Sequence, residues 1–381
     1  MKEALYVQPR VRRTEFRHVI LEGSHYEIGR QKADLIRHNK ELVRCMSSGR
    51  FKMTEEEFKE SHKLIECSCP GLNEEIMGMA DELHISPRDV TFYNASYLKR
   101  CHCSQLYVSP SQTLNNHVLV GRNYDFTDKC DDLMLCTVKS TGCYAFIGFS
   151  VMLFGYQEGI NEHGLTITMT AGGIPVGAGV PPRPPLQTGV QFWVLIRTLL
   201  ERCATVEEAI ELSQDISLCG NTIFLIADEE GNAAIIEYYG AQKHVTHVVK
   251  DDASPFLGLF STNHYISSEM AKCDDKIMEN SLVRFNIIKN FFERRKEGIG
   301  YSDIENLLST PYPEGLCLHF YDEYLGTLRS VIYDATEKGL FVSFGSPVKN
   351  PRYHINFNSL PRLYEVSIPL EKADSDFWKF I

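Results

Sequence analysis

The chain has 381 residues, 43% hydrophobic and 23% charged, which is enough apolar material for a sizeable core in an ordinary globular protein. Its formal net charge of -11 disfavours a nucleic-acid partner, because an acidic surface repels phosphate backbones. No apolar run reaches the ~18 residues of a membrane helix, and Met1 to Arg13 lacks the apolar centre of a signal peptide, so a cytoplasmic location with 12 reduced cysteines is expected.

The first hundred residues read as helical. Ser24 and Glu27 form a capping-box pattern opening an amphipathic run from Tyr26 to about Arg44. Thr54 followed by Glu55, Glu56 and Glu57 starts a second helix that Pro70 ends. Leu72, Ile76, Met79, Ala80 and Leu83 recur at helical spacing. Ser86 with Pro87 opens a fourth helix towards Lys99.

At Cys103 the pattern changes to strands. Gln105 to Val108 and His117 to Gly121 flank a polar turn and read as a hairpin. Further strands are expected at Met134 to Val138, Tyr144 to Phe149 and Leu165 to Thr170, followed by a Gly/Pro-rich flap from Gly172 to Pro185. Two helices, Val190 to Arg202 and Thr205 to Gln214, precede strands near Thr222 to Ala227, Ala233 to Tyr239, His244 to Val249 and Leu257 to Phe260. A helix over Asn280 to Arg295 and a shorter one over Ser302 to Leu308 lead to closing strands at Leu316 to Tyr321, Thr327 to Tyr333 and Gly339 to Phe344. Strands and helices in alternating groups suggest an α+β fold layered helix, sheet, sheet, helix.

One segment carries chemistry. Cys103 opens a strand, and the returning strand ends in Gly121-Arg122-Asn123-Tyr124-Asp125. Residues near the open end of a hairpin's second strand lie beside the start of the first, so Arg122 and Asp125 are placed to flank Cys103. A lone cysteine is more often core than catalytic, so this alone is weak. Cys67/Cys69 and Cys101/Cys103 are Cys-x-Cys pairs without the spacing of a zinc ribbon, so no metal site is expected.

The ordered motifs resemble the choloylglycine hydrolases and the acyl-coenzyme A:6-aminopenicillanic acid acyltransferases, both N-terminal-nucleophile families. Cys103-Ser104 with Gly121-Arg122-Asn123-Tyr124-Asp125 looks like their nucleophile and Gly-x-Asn-x-Asp motif. Gly159-Ile160-Asn161-Glu162-His163-Gly164-Leu165, Ser261-Thr262-Asn263-His264, Ser281-Leu282-Val283-Arg284-Phe285, Leu328 to Asp334 and Val342 to Pro347 follow in the same order. The leading helices, with Gly23 to Gly29 and Pro70 to Ala80, look like the propeptide of the acyltransferase branch.

The resemblance implies a four-layer αββα N-terminal-nucleophile sandwich, divided into a helical propeptide (1–102) and a catalytic domain (103–381). It implies autocleavage between His102 and Cys103, and an amidohydrolase or acyltransferase acting on linear amide C–N bonds through a Cys103 thioester. Arg122 would hold the thiolate by charge, Asp125 would bind the freed α-amine, Asn263 would donate to the oxyanion, and Arg284 would complete the charged network. The second oxyanion donor falls at Ala171, where only a backbone N–H is available. Cys101 is the rival nucleophile. The implied partner is a small N-acyl substrate, with an acyl-coenzyme A donor in the acyltransferase case, no cofactor, and self-association left open. Two other classes compete: a thiol-rich or metal-binding scaffold on the same fold, and a cysteine peptidase with a separate His base.

Overall fold

A computed structural model describes residues 10–47, 53–95, 102–173, 186–248, 258–294 and 298–381. The expected flap beyond residue 173, and Cys101, lie outside the described residues.

In chain order the leading part holds β1 (Arg10–Gly23), α1 (His25–Ile36), α2 (Lys40–Ser47), α3 (Glu55–Ser68), α4 (Leu72–Leu83) and α5 (Thr91–Ala95). Strands β2 (His102–Val108), β3 (Leu119–Phe126), β4 (Met134–Ser140), β5 (Phe146–Val151), β6 (Gly155–Asn161) and β7 (Thr166–Ala171) follow. Next come α6 (Phe192–Arg202), α7 (Val206–Gln214), β8 (Asn221–Ala227), β9 (Ala233–Tyr239), β10 (Gln242–His247), β11 (Gly258–Ser261), α8 (Glu279–Glu293) and α9 (Tyr301–Ser309). The chain closes with β12 (His319–Phe320), β13 (Leu325–Asp334), β14 (Gly339–Phe344), β15 (Arg352–Asn356) and β16 (Arg362–Leu370).

The strands form two sheets. The larger runs β10-β9-β8-β7-β6-β5-β4-β1-β16, and the smaller runs β11-β2-β3-β13-β14-β15 with β12 beside β13. Strands β4 to β9 are almost wholly buried, as befits a sheet covered on both faces. Helix α6 lies against β5, β6 and β7, and α8 and α9 lie against β2, β3, β11 and β13, which gives the αββα sandwich. Among the described residues no helix is long and apolar enough to cross a membrane.

The leading segment departs from expectation. It is not wholly helical: β1 sits inside the large sheet, parallel to β4 and antiparallel to β16. Its pattern is hard to read, because Phe16, His18 and Leu21 are its buried residues while six Arg and Glu side chains share the strand. The run from Tyr26 also breaks into two helices, because the Asn39 side chain accepts from the N–H groups of Glu41 and Leu42 and so caps α2. The capping boxes at Ser24/Glu27 and Thr54/Glu57 form, whereas Ser86 makes no side-chain cap; its segment opens with a 3-10 turn and α5, which runs to the edge of the described residues.

Helices α1 and α4 cross backbone to backbone. A Cβ on Gly29 would lie 1.9 Å from the Glu75 carbonyl oxygen, and one on Gly78 would lie 2.1 Å from that of Tyr26. Gly29→Ala is therefore expected to cost about 3 kcal/mol, the upper range for overpacking, read as a lowered urea midpoint. An unchanged midpoint would show that the two helices separate freely.

Candidate active site

The β2/β3 hairpin sets the site by register. Cys103 pairs with Tyr124, Gln105 with Arg122, and His102 with Asp125. Paired residues share a face of a sheet, so Cys103, Gln105, Arg122 and Tyr124 point one way, while Ser104, Asn123 and Asp125 point the other. The first set faces the large sheet and the second faces α8 and α9. Arg122 and Asp125 therefore flank Cys103 from opposite sides of its strand.

On the inner face, Arg122 Nη2 donates to the Cys103 sulfur at 2.8 Å, and its Nε lies 3.1 Å from Glu158 Oε2. Glu158 is shared, since its Oε1 accepts from Arg329 Nε at 2.6 Å. Arg329 stacks 3.8 Å from the Tyr124 ring centroid and also bonds Gln157, which in turn donates to the Tyr124 hydroxyl at 2.6 Å. Burial opposes the charge on Arg122, but the Cys103 sulfur and the Glu158 carboxylate outweigh it and raise its pKa. With Glu158 divided between two arginines, Arg122 keeps positive charge to offer the sulfur. All of these side chains are buried.

On the outer face, Asp125 Oδ1 accepts from Thr327 Oγ1 at 2.7 Å, while Oδ2 has no hydrogen-bond partner among the described residues. Burial pushes this carboxyl up to about 6, against the opposing pull of Arg284, Thr327 and Arg122. Arg284, from the second turn of α8, is the hub of this side. Its Nη1 donates to the Cys103 carbonyl at 3.0 Å and Ser104 Oγ at 2.8 Å, and its Nη2 donates to Asn263 Oδ1 at 2.8 Å and Asn280 Oδ1 at 2.9 Å.

Asn263 follows β11 and is braced by α8, because its N–H donates to Ser281 Oγ at 2.9 Å. With Oδ1 taken by Arg284, Nδ2 turns towards β7 and donates to the Ala171 carbonyl at 3.1 Å. An amide carries two N–H donors, so one remains for a ligand. Ala171 thus stands beside Asn263, but it is its carbonyl, not its N–H, that meets that side chain.

Cys103, Arg122, Asp125, Asn263 and Arg284 therefore gather at one point, linked by hydrogen bonds and backbone. His102 contributes the first residue of β2. The sequence reading omitted Glu158, Arg329, Thr327 and Ser281 from the site. A charged residue inside a fully buried strand, as at Glu158 in β6 and Arg329 in β13, was the available signal. Asn161 is structural, as expected of a turn residue: its side chain ties β6 to the Leu200 and Cys203 carbonyls at the end of α6. His264 is held by Ser281 and pushed down to about 4 by burial and Arg284.

The model of the acyl-coenzyme A:6-aminopenicillanic acid acyl-transferase family matches residues 112–349. No curated protein matches this sequence. Among solved structures, a mutant of conjugated bile acid hydrolase from Clostridium perfringens matches at 12% identity and a TM-score of 0.44, over 72% of this chain and 99% of that one. Penicillin V acylase from Agrobacterium tumefaciens matches at 16% identity and 0.44, over 68% and 87%. The Caenorhabditis elegans ortholog of N-acylethanolamine-hydrolyzing acid amidase matches at 16% and 0.42, over 61% and 93%.

Proposed function

Since this chain belongs to the acyl-coenzyme A:6-aminopenicillanic acid acyl-transferase family, we propose that it is an N-terminal-nucleophile amidohydrolase or acyltransferase, cut between His102 and Cys103, that works through a Cys103 thioester. The observation that carries this reading is the position of Cys103, with a guanidinium 2.8 Å from its sulfur and an unpartnered Asp125 oxygen on the other side of its strand.

The chemistry follows from these groups. A thiol of pKa ~8.5 is only a few per cent thiolate at neutral pH, and Arg122 raises that fraction by stabilising the anion. In the precursor the sulfur attacks the His102 carbonyl carbon and the C–N bond shifts to C–S. Water then hydrolyses the thioester, leaving a carboxylate on His102 and a free amine on Cys103. That amine lies in the plane of the strand, where a carboxylate from the outer face reaches it, and Asp125 supplies the missing partner. With a pKa of roughly 7.7–8.0, the amine takes the thiol proton and later returns it to the leaving amine. The sulfur attacks the acyl carbonyl of a linear amide, Asn263 Nδ2 donates to the oxyanion, and water or a second amine resolves the thioester. Arg284 is a positioning residue that fixes both the Cys103 carbonyl and the Asn263 amide.

Two tests address separate parts of this reading. The first incubates the protein with penicillin V, an N-acylethanolamine, a conjugated bile acid and an acyl-coenzyme A, quenches in acid and maps the peptides by mass. An acyl adduct on the peptide beginning at Cys103 is expected; an adduct on another residue would overturn the assignment.

The second uses uncut Cys103→Ala protein, where no ammonium forms beside Asp125. Its folded carboxyl, at about 6, binds a proton more tightly than the unfolded one at 3.8. Its contribution to stability therefore declines as pH rises through that window, by about 3 kcal/mol in all, and is flat above it. Urea midpoints from about pH 4 to about pH 7 should show this decline, and Asp125→Asn in the same background should remove it. A slope unaffected by Asp125→Asn would contradict the buried, unpartnered carboxylate.

A further inference from the structure

A second polar cluster lies where the leading segment meets the body of the fold. His25 opens α1, Cys143 sits in the turn between β4 and β5, and Glu201 is near the end of α6; one ligand atom from each lies within 4.8 Å of the others. Cys143 Sγ and His25 Nε2 are 3.7 Å apart. Two ligands bound tetrahedrally to zinc through S and N at ~2.3 and ~2.05 Å would stand about 3.6 Å apart, so this pair already has that separation.

The surroundings fit a bound cation. Glu201 Oε1 is held by Arg197 Nε at 2.9 Å, while Oε2 lies 3.9 Å from the thiol of Cys69. Behind the imidazole, Arg197 Nη2 lies 3.3 Å from His25 Nδ1 and Glu75 Oε2 stands 3.8 Å from it, so this carboxylate orients a metal-bound ring once Arg197 yields that nitrogen. Gly71, at φ 89°, leaves room for the ring, because a Cβ there would lie 2.2 Å from His25 Cδ2. Lys32 and Arg197 are balanced by Glu75 and Glu201, and the Cys143 thiolate offsets one of the two charges of an incoming dication. His25 and Cys143 are partly exposed, which gives an ion a way in.

We propose that His25 Nε2, Cys143 Sγ and Glu201 Oε2 form a zinc(II) site, with water in the fourth position. Binding displaces both the Cys143 thiol proton and the proton on His25 Nε2 to solvent. The ion joins one ligand from residues 1–102 to two from 103–381. If the chain is cut as proposed above, it clips the two pieces together.

The test strips full-length protein with chelator and titrates it with cobalt(II) and then zinc(II). A thiolate-to-cobalt charge-transfer band and one equivalent of zinc are expected. Cys143→Ser and His25→Ala should weaken zinc binding about 100-fold or more, beyond the effect of losing an outer-shell partner, while Cys67→Ser at an exposed cysteine should not. In the wild type, which needs no variant to fold, zinc should slow alkylation of Cys143 as read by peptide mass. Absence of the cobalt band, equal binding by Cys143→Ser, or unslowed alkylation would each overturn the site. None of these readouts uses turnover, so they stand apart from the Cys103 chemistry.

Discussion

Cys103→Ala is expected to remove chain cutting and turnover together. The wild-type protein should separate under denaturing electrophoresis into pieces of about 12 and about 32 kDa, in proportion to residues 1–102 and 103–381, and the variant should run as one band at 43.4 kDa. The two losses are coupled because, in the proposed mechanism, the same sulfur attacks the His102 carbonyl in the precursor and the acyl carbonyl in the enzyme. Under native conditions the pieces should stay together, since β1 lies hydrogen-bonded between β4 and β16, and Glu75 of α4 is buried against Arg197 of α6. Cys101→Ala should cut and turn over normally. If it abolishes both activities while Cys103→Ala does not, the nucleophile is misassigned.

Asn263→Ala is expected to cut kcat by about 10²–10³, the loss typical of one oxyanion donor, equal to about 3–4 kcal/mol of transition-state stabilisation. KM should change little, because the contact strengthens only as charge develops on the oxygen. Folding should survive, since Arg284 retains Asn280, Ser104 and the Cys103 carbonyl as acceptors. Steady-state kinetics on the amide that the enzyme turns over gives the answer, and a kcat within about threefold of wild type would remove Asn263 from the oxyanion site.

Much of this was legible in the sequence where local rules act. The capping box at Ser24, the helix start at Thr54, the Cys103 hairpin and the helix carrying Arg284 all depend on neighbours in the chain, and each appears where the residue pattern places it. Thr205 caps α7 by accepting from the Glu208 N–H, and the Glu208 carboxylate accepts from the Ala204 N–H. Strand β1 was hidden because its partners, β4 and β16, are supplied from more than a hundred residues away and its own pattern is charge-rich. Strand β15 is a short, partly buried sheet-edge strand without clean alternation, whereas edge strand β16 carried a legible signal in the alternation of Tyr364, Val366 and Ile368 with Glu365 and Ser367.

The site shows the same division. Spacing along the hairpin places Arg122 and Asp125 near Cys103, but only the register reveals that they approach from opposite faces. That geometry suits the separate tasks proposed for them: a cation for the sulfur on the inner face, and a carboxylate for the freed amine on the outer one. Glu158 and Arg329, on strands distant in sequence, set how much of Arg122's charge reaches the sulfur.

The most direct test of the central claim is the intact mass and N-terminal residue of the large piece in freshly purified, active protein. A polypeptide whose first residue is Cys103, bearing a free amine, is expected, with residues 1–102 still associated. Uncut 381-residue chains that turn over amides as fast as cut ones would contradict it.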